Sequence, residues 1–289
     1  MNEQGDVVRF DGQSVLVTGA GHGLGRKYAM LLAECGANVL VHDAGVAPDG
    51  SGFDRGVADR VVAEIRAAGG IAEAAYDDLV TPAGCESAVA TAVEQFGRLD
   101  ALIHNAGLSL HRALEETDAE SWSRLLGVNG EAAFWLVKSA FPLMHAQKYG
   151  RVVLTLSGHA LYSDASSADL VAYAATKAMQ FGLMNAAAAA GEAYGIRVNA
   201  ISPVAATRMF TREVAPGELL PEQVAPGAVF LASQECHVSA VVLRAANGRF
   251  SLGGYAVTEG IDLGRQPATP ELVAARWDEI AVGPPSPAA

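Results

Sequence analysis

The sequence predicts one α/β domain, a doubly wound parallel sheet of about seven strands with helices on both faces. Three observations predict it. Short apolar, β-rich runs alternate with helical stretches along almost the whole chain. The first such run leads directly into a glycine-rich turn and a helix. No repeat or linker interrupts the alternation before a proline-rich end at 284–289, P-P-S-P-A-A. Residues 1–270 are therefore expected to form the domain, and 271–289 a partly disordered C-terminal extension.

Residues 14–18, S-V-L-V-T, read as a strand buried on both faces. G-A-G-H-G-L-G at 19–25 follows, then an amphipathic helix from Arg26 to Cys35 that Gly36 stops. N-V-L-V-H at 38–42 is the second strand and ends at Asp43. After a glycine-rich loop at 44–56 come a helix at 57–68 and a strand at 71–75, closed by Asp77 and Asp78. Thr81 and Pro82 cap and open a helix at 82–96, because proline loses nothing in a first turn. D-A-L-I-H at 100–104 runs into Asn105, Ala106 and Gly107. A helix from about 119 to 145 passes through Asn129, and a strand at 151–156 ends at Ser157. A loop at 158–170 precedes a helix beginning near Val171. A strand at 196–201 ends at Ser202 and Pro203, followed by helical pieces near 207–233 and a strand-like stretch around 238–252.

With 289 residues, 51% hydrophobic and 18% charged, the chain can bury one large core. Its net charge of -12 argues against nucleic acid or an anionic membrane as a partner. Three widely spaced cysteines, Cys35, Cys85 and Cys236, without a C-x-x-C pair read as free thiols in a reducing compartment. The first ten residues are acidic and hold no apolar core, and no apolar run reaches the roughly 20 residues of a membrane span. A cytoplasmic location is the expectation. The histidines at 104, 111, 145 and 159 stand at no metal-ligand spacing, so no metal is expected.

Strand, glycine turn, helix, strand and acid together form a βαβ unit suited to a dinucleotide. Gly19, Gly23 and Gly25 let the backbone approach a pyrophosphate, and the helix start offers free N–H groups and the positive end of its dipole. Asp43 can accept from both hydroxyls of an adenosine ribose and would repel a 2′-phosphate. His22 is mostly neutral at pH 7, and positions 42–45 hold no Arg or Lys. NAD is therefore expected over NADP. Gly19–Gly25, Asp43, Asp77, Asn105–Gly107, Ser157 and Pro203 all fall at strand carboxyl ends, where such sheets bind ligands.

Tyr173 and Lys177 stand four apart, on one helix face. An ammonium beside a phenol favours the phenolate, so the Tyr173 pKa is expected to fall from its usual value of about 10. That would suit Tyr173 to acid/base work near neutral pH.

Taken together, T-G-A-G-H-G-L-G at 18–25, Asp77, N-A-G at 105–107, Asn129, Ser157, Y-A-A-T-K at 173–177, and Pro203 with Thr207 resemble the short-chain dehydrogenase/reductase family over about residues 10–255. G-L-G-R-K-Y-A-M-L-L-A, V-H-D-A-G and S-P-V-A-A-T-R-M look like the branch holding the 3-hydroxyacyl-CoA dehydrogenase domain of peroxisomal multifunctional enzymes. The resemblance implies a Rossmann-type domain and hydride transfer between a carbinol carbon and a nicotinamide. It implies that Tyr173 exchanges the alcohol proton, Lys177 also bonds the nicotinamide ribose, Ser157 holds the substrate oxygen, and Asn129 links Lys177 to solvent, binding a water through its side chain or bending the backbone to let one in. Asn129 and Gly130 are poor helix formers, so a local helix defect is expected there. It places Gly19, His22, Gly23, Leu24, Gly25, Asp43, Asp77, Asp78, Asn105, Ala106, Gly107, Tyr173, Lys177, Pro203, Val204 and Thr207 against the cofactor.

Two departures bear on the substrate. Ser157 and Tyr173 stand 16 positions apart, wider than is usual in the family, so residues 163–169 form an insertion at the lip of the site. His159 replaces a residue that is often small. The implied substrate is a bulky apolar secondary alcohol, a hydroxyacyl-CoA first and a hydroxysteroid second. An NADPH-dependent carbonyl reductase and a non-catalytic nucleotide-binding regulator are the alternatives. The stretches 131–145 and 177–194 are apolar all round, which predicts pairing with their copies in a homodimer or homotetramer. Arg208, Met209, Phe210 and Arg212 fall in the segment 207–222 that should cover the substrate.

Overall fold

The computed structural model describes residues 7–47, 50–163, 167–209, 214–265 and 267–282. Phe210, Arg212, residues 164–166 of the insertion and the tail 284–289 lie outside them. The chain divides into two compact units, Met1–Leu252 and Gly253–Ala289.

In the first unit, β1 (Ser14–Thr18), α1 (Gly23–Glu34), β2 (Asn38–His42), α2 (Gly56–Ala67), β3 (Ile71–Ala75), α3 (Pro82–Phe96) and β4 (Ala101–His104) follow in order. After them come α4 (Ala119–Leu125), α5 (Ala132–Gln147), β5 (Gly150–Thr155), α6 (Gly158–Leu161), α7 (Val171–Gly191), β6 (Ile196–Val204), α8 (Ala225–Ala232), β7 (Val242–Ala246) and β8 (Arg249–Gly253). The sheet has eight strands in the order β3-β2-β1-β4-β5-β6-β7-β8, and every pair from β3 to β7 is parallel. The order reverses between β1 and β4, which places a crevice at their carboxyl ends.

Side-chain alternation along the strands builds two cores. Val15 and Val17 of β1 point with Val39 and Val41 of β2 into one core, with Tyr28, Leu32 and Ile65 from α1 and α2 and Val229 from α8. Leu16 and Leu40 point the other way, toward Leu136, Met144 and Met184 of α5 and α7. Both faces are covered, so β1 is buried at every residue and reads as an unbroken apolar run. Each of these large side chains contributes about 1.5–3 kcal/mol by leaving water.

Two segments depart from the sequence reading. The long helix expected over 119–145 is broken at Leu126–Glu131 by a π-helical turn between α4 and α5. Gly127, Asn129 and Gly130 lie in it, all weak helix formers. A Cβ on Gly130 would stand 2.8 Å from Met179 Sδ, so the glycine lets this turn approach α7. The stretch expected as one strand near 238–252 is a hairpin. Asn247 and Gly248 both have positive φ, the backbone of a two-residue turn that folds β8 antiparallel against β7 at the sheet edge.

In the second unit, Thr269 caps α9 (Pro270–Ala275) by accepting from the Leu272 N–H, and α10 (Trp277–Ile280) follows. Among the described residues no helix is long and apolar enough to cross a membrane.

Candidate active site

The glycine turn after β1 is a steric necessity. A Cβ on Gly25 would stand 2.1 Å from the Gly19 carbonyl oxygen, and one on Gly19, at φ +63, would stand 2.8 Å from the Ala106 Cα. A Cβ on Gly21 would meet Val57 at 2.1 Å and Asp43 Oδ2 at 2.8 Å. Asp43 is 6% exposed, and both its oxygens are held: Oδ2 accepts from the Gly21 N–H and Oδ1 from the Gly45 N–H, each at 2.8 Å. A fixed carboxylate thus flanks the turn with one lone pair per oxygen to spare. Asn105 clamps the turn from β4, its side-chain amide donating to the Thr18 and Gly19 carbonyls at 3.2 and 3.0 Å.

A pocket opens along this edge. Its wall holds Gly19, His22, Gly23 and Leu24 of the turn, Asp43, Asp77 and Asp78 at the strand ends, Asn105, Ala106 and Gly107, and Thr207 with Arg208. Gly25, Tyr173, Lys177, Pro203 and Val204 lie outside the wall, and so does Ser157. His22 is the residue before α1 and makes no side-chain cap, so the first N–H groups of the helix remain for a ligand. Burial, and then the Arg208 charge, push the His22 pKa down, which keeps its ring neutral at pH 7. Asp78 accepts from the Val80 N–H and Thr81 caps α3, so these two also shape the local turn. The steric cradle, the unfilled helix start and the pinned carboxylate fit a dinucleotide.

The polar cluster beside this pocket is carried by α7, β5 and the π turn. Ser157, two residues past β5, lies near enough to Tyr173 for its hydroxyl to favour the phenolate. Lys177 is 2% exposed and donates to the Thr155 carbonyl at 2.8 Å. A Cβ on Gly107, part of the pocket wall, would stand 3.2 Å from its Nζ. Asn129 is fully buried. Its Oδ1 accepts from the Leu108 N–H at 2.9 Å, and its Nδ2 donates to the Leu108 carbonyl at 3.0 Å and to Thr176 Oγ1 at 3.2 Å.

One sequence expectation needs correction here. Tyr173 is not acidified: burial raises its pKa above the usual phenol value, and only the Ser157 hydroxyl opposes the rise. The ammonium that was to lower it points at the Thr155 carbonyl, and burial pushes the Lys177 pKa down to about 8. Both hydrogens of the Asn129 amide are taken, by the Leu108 carbonyl and Thr176, and its Oδ1 keeps one lone pair beside the Leu108 N–H. The backbone defect expected at this position is present as the π turn. Its Asn129 carbonyl accepts from Gln180 Nε2 at 2.6 Å.

Two further polar residues serve the site, Thr18, which opens the glycine motif, and Gln180, which carries no motif. Thr18 Oγ1 accepts from the Asn105 and Ala106 N–H groups, both at 3.1 Å. Gln180, fully buried, accepts from the Thr155 N–H at 3.1 Å while its amide reaches Asn129. Buried Gln and Thr within an apolar helix pattern are the available signal, because such groups persist only when paired. At the lip, His159 Nδ1 pairs with Ser167 Oγ at 2.8 Å, and its ring stands edge-on to Tyr173 with centroids 6.5 Å apart. His111 pairs with Asp169 at 2.7 Å, and the Arg112 N–H donates to the Asp169 carbonyl, so the loop after β4 is tied to the insertion.

Comparison with known proteins agrees with this geometry. A family model described as short chain dehydrogenase matches residues 13–218. A protein of Mycobacterium tuberculosis described as a short-chain type dehydrogenase/reductase is 38% identical over 270 residues, covering 92% of this chain and 93% of that one. Mouse peroxisomal multifunctional enzyme type 2 is 38% identical over 94% of this chain, which spans 37% of that enzyme's length. The crystal structure of a short chain dehydrogenase from Mycobacterium avium superposes with a TM-score of 0.82 at 34% identity, covering 95% of this chain and 96% of that one. The chain is an oxidoreductase of the short-chain dehydrogenase/reductase family, related to the peroxisomal multifunctional enzymes.

Proposed function

We propose that the protein is an NAD(H)-dependent oxidoreductase interconverting a bulky apolar secondary alcohol and its ketone, with a 3-hydroxyacyl-CoA as first choice of substrate and a hydroxysteroid as second. The observation that carries this reading is Lys177, one turn from Tyr173 on the same helix, with its Nζ 3.2 Å from where a Cβ on Gly107 would stand, in the wall of the pocket that the glycine turn and Asp43 line. Asp43 would hold the adenosine ribose, the start of α1 the pyrophosphate, and Thr207 the nicotinamide end. When bound, the dinucleotide supplies hydride transfer at its nicotinamide. Ser157 donates to the substrate oxygen and fixes it where charge develops. Tyr173 gives its proton to that oxygen in reduction and takes it back in oxidation. The raised Tyr173 pKa suits the first role directly. In the second, Lys177, still cationic at pH 7, must turn from Thr155 toward the phenol to stabilise the phenolate.

A Tyr173→Phe variant tests this. Turnover of 3-hydroxybutyryl-CoA or a screened secondary alcohol with NAD should fall by more than about a thousandfold, since proton transfer and oxygen positioning are lost together. Wild-type turnover in that variant would overturn the mechanism. Arg208 beside His22 favours one second reading, an NADPH-dependent carbonyl reductase, because a cation there could meet a 2′-phosphate. A clear preference for NADPH over NADH in the wild type would select it.

The homodimer or homotetramer also stays a proposal. Phe134 on α5 and Met179 on α7 are 48% and 46% exposed, which supports burial of these helices against a second copy. A monomer by light scattering at micromolar concentration would reject it.

A further inference from the structure

Ser157 and Tyr173, the pair that would hold the reacting oxygen, share a neighbour. The His159 N–H donates to Ser157 Oγ at 3.3 Å, because Ser157 caps the short helix α6. The ring of the same residue stands edge-on to the Tyr173 ring, with centroids 6.5 Å apart and planes at 69°. Ser157 Oγ takes the N–H on a lone pair, so its hydrogen remains for a substrate oxygen. An alcohol held by this pair therefore lies beside the imidazole.

The ring is half-buried and held from one side. Its Nδ1 lies 2.8 Å from Ser167 Oγ, on the segment inserted before α7. The Ser167 hydroxyl makes no other hydrogen bond among the described residues, so its hydrogen is available to Nδ1. A neutral ring bonded in this way carries its proton on Nε2. The two nitrogens of an imidazole diverge, so Nε2 points away from Ser167, and no described residue accepts from it. An apolar substrate seated on this ring would strip water from Nε2–H and leave it unpaired, whereas an oxygen placed there would pair with it. A site with such a donor favours the substrate that carries the oxygen and penalises the one that lacks it.

We infer that His159 selects the substrate: its Nε2–H donates to an acceptor oxygen that the substrate carries close to its carbinol. The thioester carbonyl of a 3-hydroxyacyl group supplies that oxygen, and the ring system of a hydroxysteroid does not. This rests on Ser157 and Tyr173 acting as proposed above, and it narrows the two substrates named there to the first. Ser167 is the positioning residue, setting the tautomer and direction of the ring from the insertion.

Substrates with and without that oxygen test it. In His159→Ala with NAD, kcat/KM for 3-hydroxybutyryl-CoA should fall about tenfold, equivalent to about 1.4 kcal/mol, while kcat/KM for 2-butanol stays unchanged. His159→Gln, whose amide can donate, should recover most of the loss, and Ser167→Ala should show a smaller loss of the same kind. A merely structural role for His159 would lower both substrates alike and overturn the inference. Equal kcat/KM for 3-hydroxybutyryl-CoA in His159→Ala and the wild type, with Tyr173→Phe inactive, would also overturn it and leave the acid/base reading standing. A loss seen with 3-hydroxybutyrate but not with the thioester would make a carboxylate the partner of the ring and overturn the thioester assignment. A wild type that turns over a hydroxysteroid and not 3-hydroxybutyryl-CoA would overturn it as well.

Discussion

The two sides of the site are built differently. On the nucleotide side, contacts are between backbone and buried polar groups: Asp43 to Gly21 and Gly45, Asn105 to Thr18 and Gly19, Thr18 to Asn105 and Ala106. Glycines there have no room for a Cβ. On the substrate side, the lip is joined by exposed or half-buried side-chain pairs, His111 with Asp169 and His159 with Ser167. The first side tolerates little change because every group is paired and packed, so it can hold one ligand in one pose. The second can vary by loop exchange without touching the sheet, which is where substrate choice belongs.

The largest effect expected from this contrast is at Gly25. Gly25→Ala drives a Cβ into the Gly19 carbonyl, a backbone atom that cannot rotate away. Overpacking of this kind costs about 1–3 kcal/mol or more and displaces the turn that would face the pyrophosphate. NADH binding by fluorescence titration should weaken at least a hundredfold, about 2.7 kcal/mol. Binding within threefold of wild type would show that the turn is softer than its packing implies.

Lys177 sharpens the contrast through pH. Its folded pKa of about 8 lies below the unfolded value of about 10.4, so the unfolded chain binds more protons between these values. Stability therefore carries a penalty of roughly 3 kcal/mol at pH 7, which is relieved as pH rises from about 8 to 10. Tyr173 acts oppositely: its raised pKa makes the folded state hold its proton longer, so its contribution falls above about pH 10. Lys177→Met should abolish turnover yet raise unfolding free energy at pH 7 by about 2 kcal/mol, after the loss of the Thr155 bond is subtracted. The gain should shrink in denaturation curves taken near pH 10. A less stable Lys177→Met protein at pH 7 would show that the ammonium is better compensated than its bond to Thr155 implies.

Asp43 gives a smaller effect and bears on cofactor choice. Asp43→Ala removes a charge facing a 2′-phosphate, while Gly21 and Gly45 each lose an acceptor. The ratio of kcat/KM for NAD over NADP should fall by about tenfold to a hundredfold. An unchanged ratio would move the discrimination to Arg208 or His22.

What could be read from the sequence divides along the same line. The glycine turn, Asp43, N-A-G and the strand ends are local patterns, and the sheet that joins them follows from alternation alone. The Thr81 cap and the weak helix at Asn129 and Gly130 were legible too, the second as a defect whose π geometry only the packing against α7 defines. The direction of the Tyr173 shift was not. Spacing puts Lys177 on the same face, but the carbonyl that takes its ammonium belongs to β5, some twenty residues away in sequence. The turn of the β7–β8 hairpin is marked by Asn247 and Gly248, but the surrounding stretch lacks the clean alternation that would show two strands.

The smallest effect expected is at the lip, and it tests the contrast most directly. His111 and Asp169 are 39% and 54% exposed, so their attraction is screened by water. The His111 ring holds the Asp169 carboxyl below its usual range. Asp169→Asn removes that charge but keeps a group able to bond the ring, and the Arg112 N–H still reaches the Asp169 backbone. The melting temperature and NADH affinity should match wild type, while KM for the alcohol shifts several-fold and kcat holds. A change confined to KM would place substrate recognition in loops carried on an unaltered scaffold. A loss of NADH affinity would mean instead that the lip and the glycine turn are coupled through β4, and the two sides would have to be treated as one.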